Sequence, residues 1–264
     1  MDKQKVALVL SMGGARGIAH IGVIEELLAH GYEITSIAGT SMGAIVGAMY
    51  ATGKLEECKQ WICGWDRKKM FYFADVKLNR EGMVKGNRFM QELRQIVPDA
   101  SIESLPLPYT ALATDIINEC EVVFESGNLF DAIRASISIP MVFHPFKKDG
   151  RTLVDGGLLN PLPLRHIRRT EGDIVIAVDV NAAGEARPIP HLSPYQLLTA
   201  SSRMMMQEIT RNELRNLPPD ILISIPASRF EMMEFYRAKD IMEGGREAAR
   251  KVLENKLLLS DKLD

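Results

Sequence analysis

A glycine-flanked serine, Ser41, joins a strand-like apolar run at residues 34–38 to a helix-like run at residues 44–51. A serine on such a sharp strand-to-helix turn displays its hydroxyl at the end of the strand. Gly39 and Gly43 remove the side chains that would collide at this turn. The chain must therefore form a tight βα connection here, and a serine so placed is suited to attack an acyl carbonyl.

The pattern of residues 5–53 predicts two consecutive βα units. The first consists of a buried strand at 5–10, a glycine-rich turn at 11–16 and a helix at 17–29, and the second is centred on Ser41. Consecutive βα units predict a parallel sheet with right-handed crossovers.

The remaining sequence continues the alternation of strands and helices. With 264 residues and 46% hydrophobic content, the chain can bury one sizeable core, so we predict a single α/β domain, 1–264, with a mostly parallel central sheet.

Residues 67–73 mix cations and aromatic rings and are expected to form an exposed segment, whereas methionines 204–206 are expected in the core or around an apolar pocket. The other predicted elements are strands at 109–115, 121–125, 151–154, 174–180 and 220–225, and helices at 55–65, 128–135, 194–216 and 238–258.

Charge and cysteine content exclude several classes of function. The formal net charge of −2 provides no basic field for nucleic acid, so none is expected as a partner. The three cysteines, Cys58, Cys63 and Cys120, lack C-x-x-C spacing and predict reduced thiols. No cluster of His, Asp or Glu has metal-ligand spacing, so we predict an enzyme without metal or cofactor.

Residues 34–53 carry no charge and repeat small residues at Gly39, Gly43 and Gly47, a spacing also found in packed membrane helices. Their high glycine and hydroxyl content and the lack of a Lys/Arg asymmetry at the flanks favour the strand–turn–helix interpretation instead. The apolar run at 6–10 is too short for a signal peptide. We therefore expect a cytoplasmic protein, with residues 67–73 as the candidate for peripheral membrane contact.

The glycine-rich loop at residues 12–17, Met-Gly-Gly-Ala-Arg-Gly, follows the first predicted strand. Its backbone amides would lie at the same sheet edge as Ser41, where Gly13 and Gly14 let the backbone approach a substrate oxyanion. A phosphate cradle is the alternative, but the spacing matches neither G-x-x-x-x-G-K-S/T nor G-x-G-x-x-G. The sequence therefore predicts that this loop forms an oxyanion hole rather than a phosphate-binding site.

The sequence leaves the proton acceptor for Ser41 open. In a Ser-Asp-His order the histidine follows the acid, so His166 and His191 are the candidates. Neither histidine stands in a recognisable motif, and Asp155 is the better partner, because Val-Asp-Gly-Gly ends a predicted strand and its glycines leave the carboxylate in an open tight turn. A carboxylate there needs desolvation or close contact with the serine to act as a base, and a purely structural turn aspartate fits the pattern equally well.

Four blocks in order resemble the patatin-like phospholipase family. Residues 8–24 resemble its opening block, residues 39–43 its G-x-S-x-G motif, residues 135–140 the segment that precedes its aspartate in bacterial members, and residues 155–156 its D-G/A motif. The resemblance spans about residues 5–180.

This resemblance implies a three-layer α/β/α fold and a Ser-Asp dyad, Ser41 and Asp155, without a catalytic histidine. It also implies an oxyanion hole formed by Gly13, Gly14 and Arg16. The implied reaction is hydrolysis of fatty acyl esters, with phospholipids or lysophospholipids as substrates.

One residue departs from the family pattern, because Met12 stands where the block usually has its first of three glycines. The departure motivates an alternative hypothesis, a lipid-binding or regulatory module that has lost turnover. A third hypothesis keeps the esterase but uses a Ser-His-Asp triad.

Overall fold

The computed structural model describes residues 3–73, 87–140, 142–185 and 193–260. An eight-stranded sheet lies at the centre. Neighbouring strands in the order β3, β2, β1, β7 and β8 are parallel, whereas β4 and β6 run antiparallel to β3, and β5 antiparallel to β6. The strands are β1 (Lys5–Leu10), β2 (Glu33–Thr40), β3 (Tyr109–Asp115), β4 (Cys120–Phe124), β5 (Phe146–Lys148), β6 (Arg151–Asp155), β7 (Ile174–Ala182) and β8 (Ile221–Pro226).

Helices cover both faces of this sheet, which confirms the predicted α/β fold with three layers. Successive residues of β1 point to opposite faces: Leu8 belongs to the large cluster with residues of α1, α2 and α8, whereas Val9 belongs to a smaller cluster against which Leu214 of α7 packs. The helices are α1 (Ala19–Ala29), α2 (Met42–Ala51), α3 (Leu55–Cys63), α4 (Arg67–Phe73), α5 (Asn87–Ile96), α6 (Leu129–Ser136), α7 (Pro194–Asn216) and α8 (Ala238–Ser260).

Two strands meet end to end along one edge of β3. Thr40, the last residue of β2, pairs with Leu112, and Asp155, the last residue of β6, pairs with the next residue, Ala113. β4 occupies the opposite edge, because it pairs with residues 111–115 as well. Since β2 and β6 run in opposite directions, their carboxyl ends converge at this point.

The basic and aromatic segment 67–73 differs from its expected form, because it is the helix α4. Phe73 is buried, and its ring lies 5.0 Å from that of Trp65 and 6.0 Å from that of Trp61. Packing of these rings stabilises a helix that the local charge pattern did not indicate. Met204 and Met205 also differ from expectation, because both are exposed.

The uncharged stretch 34–53 is divided between β2, the turn at Ser41 and α2, as the strand–turn–helix interpretation predicted. Within the described ranges, none of the helices combines the length and the apolar composition that crossing a membrane requires. The first helix, α1, begins at Ala19 rather than at residue 17, because residues 14–18 form a 3-10 turn.

Candidate active site

Ser41 occupies a strained turn between β2 and α2. Its backbone has φ 57° and ψ −120°, a conformation that few residues with a side chain adopt. A Cβ at Gly39 would lie 2.5 Å from the Gly43 carbonyl carbon, and one at Gly43 would overlap the Leu10 carbonyl oxygen. Both glycines are therefore required for α2 to leave the sheet so closely. The Ser41 amide donates to Ser136 Oγ at 2.8 Å, which holds the turn against α6.

Asp155 lies in direct contact with this serine. Ser41 Oγ donates to Asp155 Oδ2 at 2.5 Å, and the Gly157 amide donates to Asp155 Oδ1 at 2.8 Å. Both side chains are almost fully enclosed, since Ser41 is 3% and Asp155 4% exposed. Burial raises the pKa of Asp155 to about 6, although the hydrogen bonds from Ser41 and Gly157 oppose that rise. This carboxyl group therefore changes charge close to neutral pH.

The glycine-rich loop lies at the same carboxyl edge of the sheet. The Met12 amide donates to the Pro161 carbonyl and the Ala15 amide to the Met232 carbonyl, both at 2.9 Å. The Gly13 amide has no acceptor among the described residues. Gly14 has φ 56°, and a Cβ there would overlap Met232.

The guanidinium of Arg16 lies behind this loop, bound to protein. Arg16 Nη2 donates to Asn181 Oδ1 at 2.6 Å, and Asn181 Nδ2 donates to the Met12 carbonyl. Burial, with the nearby charge of Arg203, lowers the pKa of Arg16 to about 10, so the group stays cationic at neutral pH. Asn181 thereby links the Met12 carbonyl to the Arg16 side chain and holds the two ends of the loop together.

The Met12 side chain packs beside the Ser41–Asp155 pair. A Cβ on Gly157 would overlap Met12 Sδ and would lie 3.0 Å from Asp155 Oδ1, so thioether and carboxylate lie against the same glycine. Met12 thus contributes apolar surface next to the carboxylate, in keeping with the buried environment that raises the pKa of Asp155.

His20, His30 and His166 make hydrogen bonds to groups other than Ser41. His166 Nε2 is 2.7 Å from Glu121 Oε2, while the Ser41 hydroxyl donates to a carboxylate. His20 is buried, donates from Nε2 to the Ser11 carbonyl at 2.8 Å, and has its pKa lowered to about 4 by burial, so it braces the loop as a neutral ring. The other candidate, His191, lies outside the described residues.

The structure brings Ser41, Asp155 and the loop with Gly13, Gly14 and Arg16 to one edge of the sheet. Two further residues belong to this arrangement without having been predicted from the sequence: Ser136, which accepts from the Ser41 amide, and Asn181, which contacts Met12 and Arg16. Ser136 lies within the 135–140 block, which was a usable signal, whereas Asn181 is marked only by its place at the carboxyl end of a buried parallel strand. Among the described residues, no group of His, Cys, Asp and Glu could hold a metal ion.

Comparison with known proteins identifies similar chains. The model of the family described as patatin-like phospholipase matches residues 8–167. An uncharacterized NTE family protein of Mycobacterium tuberculosis is 31% identical over 95% of this chain and 91% of its own length. Patatin-like phospholipase domain-containing protein 7 of Mus musculus is 36% identical over 68% of this chain, which corresponds to 14% of that protein.

A likeness in fold extends over nearly the whole chain. The crystal structure of VipD from Legionella pneumophila superposes with a TM-score of 0.52 at 14% identity, covering 97% of this chain and 67% of VipD. At that identity the likeness concerns the fold alone.

Proposed function

The chain belongs to the patatin-like phospholipase family, a family of lipid acyl hydrolases, and we propose that it hydrolyses fatty acyl esters of phospholipids or lysophospholipids. The observation that carries this proposal is the 2.5 Å hydrogen bond from Ser41 Oγ to Asp155 Oδ2 at the end of β2. A serine in such contact with a carboxylate can lose its proton as it attacks. We also propose that residues 1–264 act as one catalytic domain and need no cofactor.

In the first half-reaction, Ser41 Oγ attacks the acyl carbonyl carbon and its proton passes to Asp155. The carbonyl oxygen becomes an oxyanion, which the amides of Gly13 and Gly14 stabilise at the glycine-rich loop. The tetrahedral intermediate collapses, the ester C–O bond breaks, and the leaving alcohol takes the proton from Asp155. Arg16 acts through its positive charge behind the loop, since its Nη2 is bound to Asn181.

In the second half-reaction, Asp155 removes a proton from a water molecule that attacks the acyl-Ser41 ester. The oxyanion forms again at the same amides, and its collapse returns the proton to Ser41 Oγ as the fatty acid leaves. An alcohol in place of water would accept the acyl group by the same steps.

A fluorophosphonate probe tests this assignment and distinguishes it from a lipid-binding module without turnover. Because Asp155 acts as a base and its pKa is raised to about 6, labelling of Ser41 should rise with pH through about 6 and level off above it. Below that pH the rate should fall about tenfold per unit, as the protonated fraction grows. Gel fluorescence gives the rate and mass spectrometry the modified residue. Absence of label on Ser41 at every pH would favour the module.

Asn181 offers a separate test of the oxyanion loop. Replacing it by Leu removes its hydrogen bonds to Arg16 and Met12, and Asn181→Asp keeps an acceptor for Arg16 but loses the donor to Met12. We expect kcat on an ester to fall about 10- to 100-fold in Asn181→Leu and less in Asn181→Asp, with KM little changed. The exposed Asn212→Leu on α7 is the control. Equal kcat in all three variants would contradict a positioning role for Asn181.

A further inference from the structure

The first half of α7 projects beyond the sheet on the side of the candidate active site. β7 and β8 are parallel, so the helix between them must run from the carboxyl edge back to the amino edge. Gln207 Nε2 donates to the Asn181 carbonyl at 2.8 Å, which places residue 207 level with the end of β7. At about 1.5 Å per residue, the segment from Pro194 to Gln207 is roughly 20 Å long, and it lies beyond that edge.

This projecting segment is apolar and exposed. Leu197, Leu198, Met204 and Met205 are all more than half exposed, and Met204 reaches 66%. Residues 197 and 204 stand seven positions apart, as do 198 and 205, so the four side chains follow one side of the helix. Arg203 is the one charged residue between positions 194 and 207.

A second apolar projection leaves the same edge. The turn between β3 and β4 carries Ile116 and Ile117, and Ile117 is 71% exposed. β3 and β7 are separated by β2 and β1, which places their ends about 14 Å apart across the sheet. Ser41, at the end of β2, lies between the two projections. Leu159, after Asp155, and Met233, next to the loop contact Met232, are also exposed on this side.

We propose that this apolar rim, formed by Ile116, Ile117, Leu159, Leu197, Leu198, Met204, Met205 and Met233, docks on the surface of a lipid bilayer. The inference rests on the proposed function, because a lipid surface is where a long-chain acyl ester is found. Docking with this edge towards the bilayer brings the nearly enclosed Ser41 to the lipids, so the acyl chain can pass from the bilayer to the site without crossing water.

The shape and charge of the rim favour lipid over a protein surface. Its members stand on separate projections around the site rather than in one groove, and a fluid bilayer accepts such projections individually. A protein partner would need a matching depression for each. Arg203 is exposed, close enough to Arg16 to lower the pKa of that group, and is suited to pair with a lipid phosphate beside the glycine-rich loop. The proposal assigns the peripheral membrane contact to this rim, whereas the sequence analysis gave residues 67–73 as the candidate; that candidate stays a prediction.

Flotation with phosphatidylcholine–phosphatidylglycerol vesicles tests the proposal. The double variant Met204→Glu/Met205→Glu, in the full chain with Ser41→Ala to prevent hydrolysis, should bind vesicles at least about tenfold more weakly, since it loses two apolar side chains that docking would bury in the bilayer. Ile117→Ser should bind a few-fold more weakly. The matched control is Leu28→Glu, an exposed leucine near the end of α1 at the opposite edge of the sheet, which should bind like the parent.

With Ser41 restored, the double variant should keep wild-type turnover of a soluble short-chain p-nitrophenyl ester but lose hydrolysis of vesicle lipid in step with binding. Flotation equal to that of Leu28→Glu would overturn the docking proposal. So would light scattering that shows a wild-type dimer dissociated by the double variant while vesicle binding persists, because the rim would then join two copies of the chain. Failure of hydrolysis in the wild type with intact flotation would instead refute the proposed function and leave the docking surface standing.

Discussion

Ser41→Ala is expected to lower ester hydrolysis by at least about 10³-fold and to abolish fluorophosphonate labelling, because no other group at the turn can form the acyl intermediate. Alanine keeps the Cβ, so the backbone strain at φ 57° is unchanged and the fold should persist. What remains is a buried Asp155 that has lost its hydroxyl donor. The measurement is turnover of a p-nitrophenyl ester alongside thermal unfolding.

The control for this variant is Ser36→Ala on β2, the strand that precedes the turn. Ser36 is fully buried and its hydroxyl donates to the Arg168 carbonyl, so its loss perturbs β2 without touching the site. Activity should stay near that of the wild type in the control. Turnover by Ser41→Ala comparable to that of Ser36→Ala would remove Ser41 from the mechanism.

Asp155→Asn should reduce turnover by about 10²- to 10⁴-fold, the usual contribution of a positioned general base. An amide at this position can accept the Gly157 hydrogen bond through Oδ1, but its Nδ2 then faces Ser41 Oγ as a donor. The serine proton has nowhere to go, even though the geometry is nearly unchanged. Turnover and labelling at neutral pH measure this loss.

The same substitution should change stability with a definite sign. The folded pKa of Asp155 is raised from 3.8 to about 6, so the folded protein binds this proton more tightly than the unfolded chain does. Ionisation of Asp155 therefore lowers the free energy of unfolding as pH rises from about 4 to about 6. Above that range the free energy of unfolding no longer changes on account of this group. The difference in Tm between Asp155→Asn and the wild type should therefore be more favourable to the variant at about pH 8 than at about pH 4.

Asp173→Asn provides a control with the opposite sign. Burial favours the neutral form of Asp173, but hydrogen bonds from Thr170 and Arg169 outweigh it and lower the pKa of the carboxyl group. Its charge therefore stabilises the fold above the unfolded pKa, and its replacement should lower Tm at neutral pH. If Asp155→Asn retains activity, or loses stability at high pH as Asp173→Asn does, Asp155 is a structural turn residue.

Much of the fold followed from local patterns. The strand at residues 5–10 was predicted with its observed bounds, and so was the helix at 194–216, because each has a clear period and recognisable end signals. The segment 67–73 was not predicted as a helix, since its stability comes from aromatic contacts with Trp61 and Trp65 rather than from its own charge pattern. β5 was missed because a three-residue edge strand has almost no pattern to detect.

The sequence by itself determined the turn at Ser41, since Gly39 and Gly43 are neighbours of the serine and a Cβ at Gly39 would meet the Gly43 backbone within the same βα unit. The clash that Gly43 avoids, with the Leu10 carbonyl oxygen, arises only because β1 packs beside this turn. Only the tertiary structure decided which group meets the hydroxyl. The carboxylate of Asp155 stands 114 residues further along the chain, and it reaches Ser41 because β6 reverses direction and docks end to end with β2 on β3. That pairing depends on backbone hydrogen bonds between strands distant in the chain, and the side chains of these strands do not indicate which strands will pair. Asn181 behind the glycine-rich loop and the projection of α7 past the sheet are consequences of the same non-local assembly.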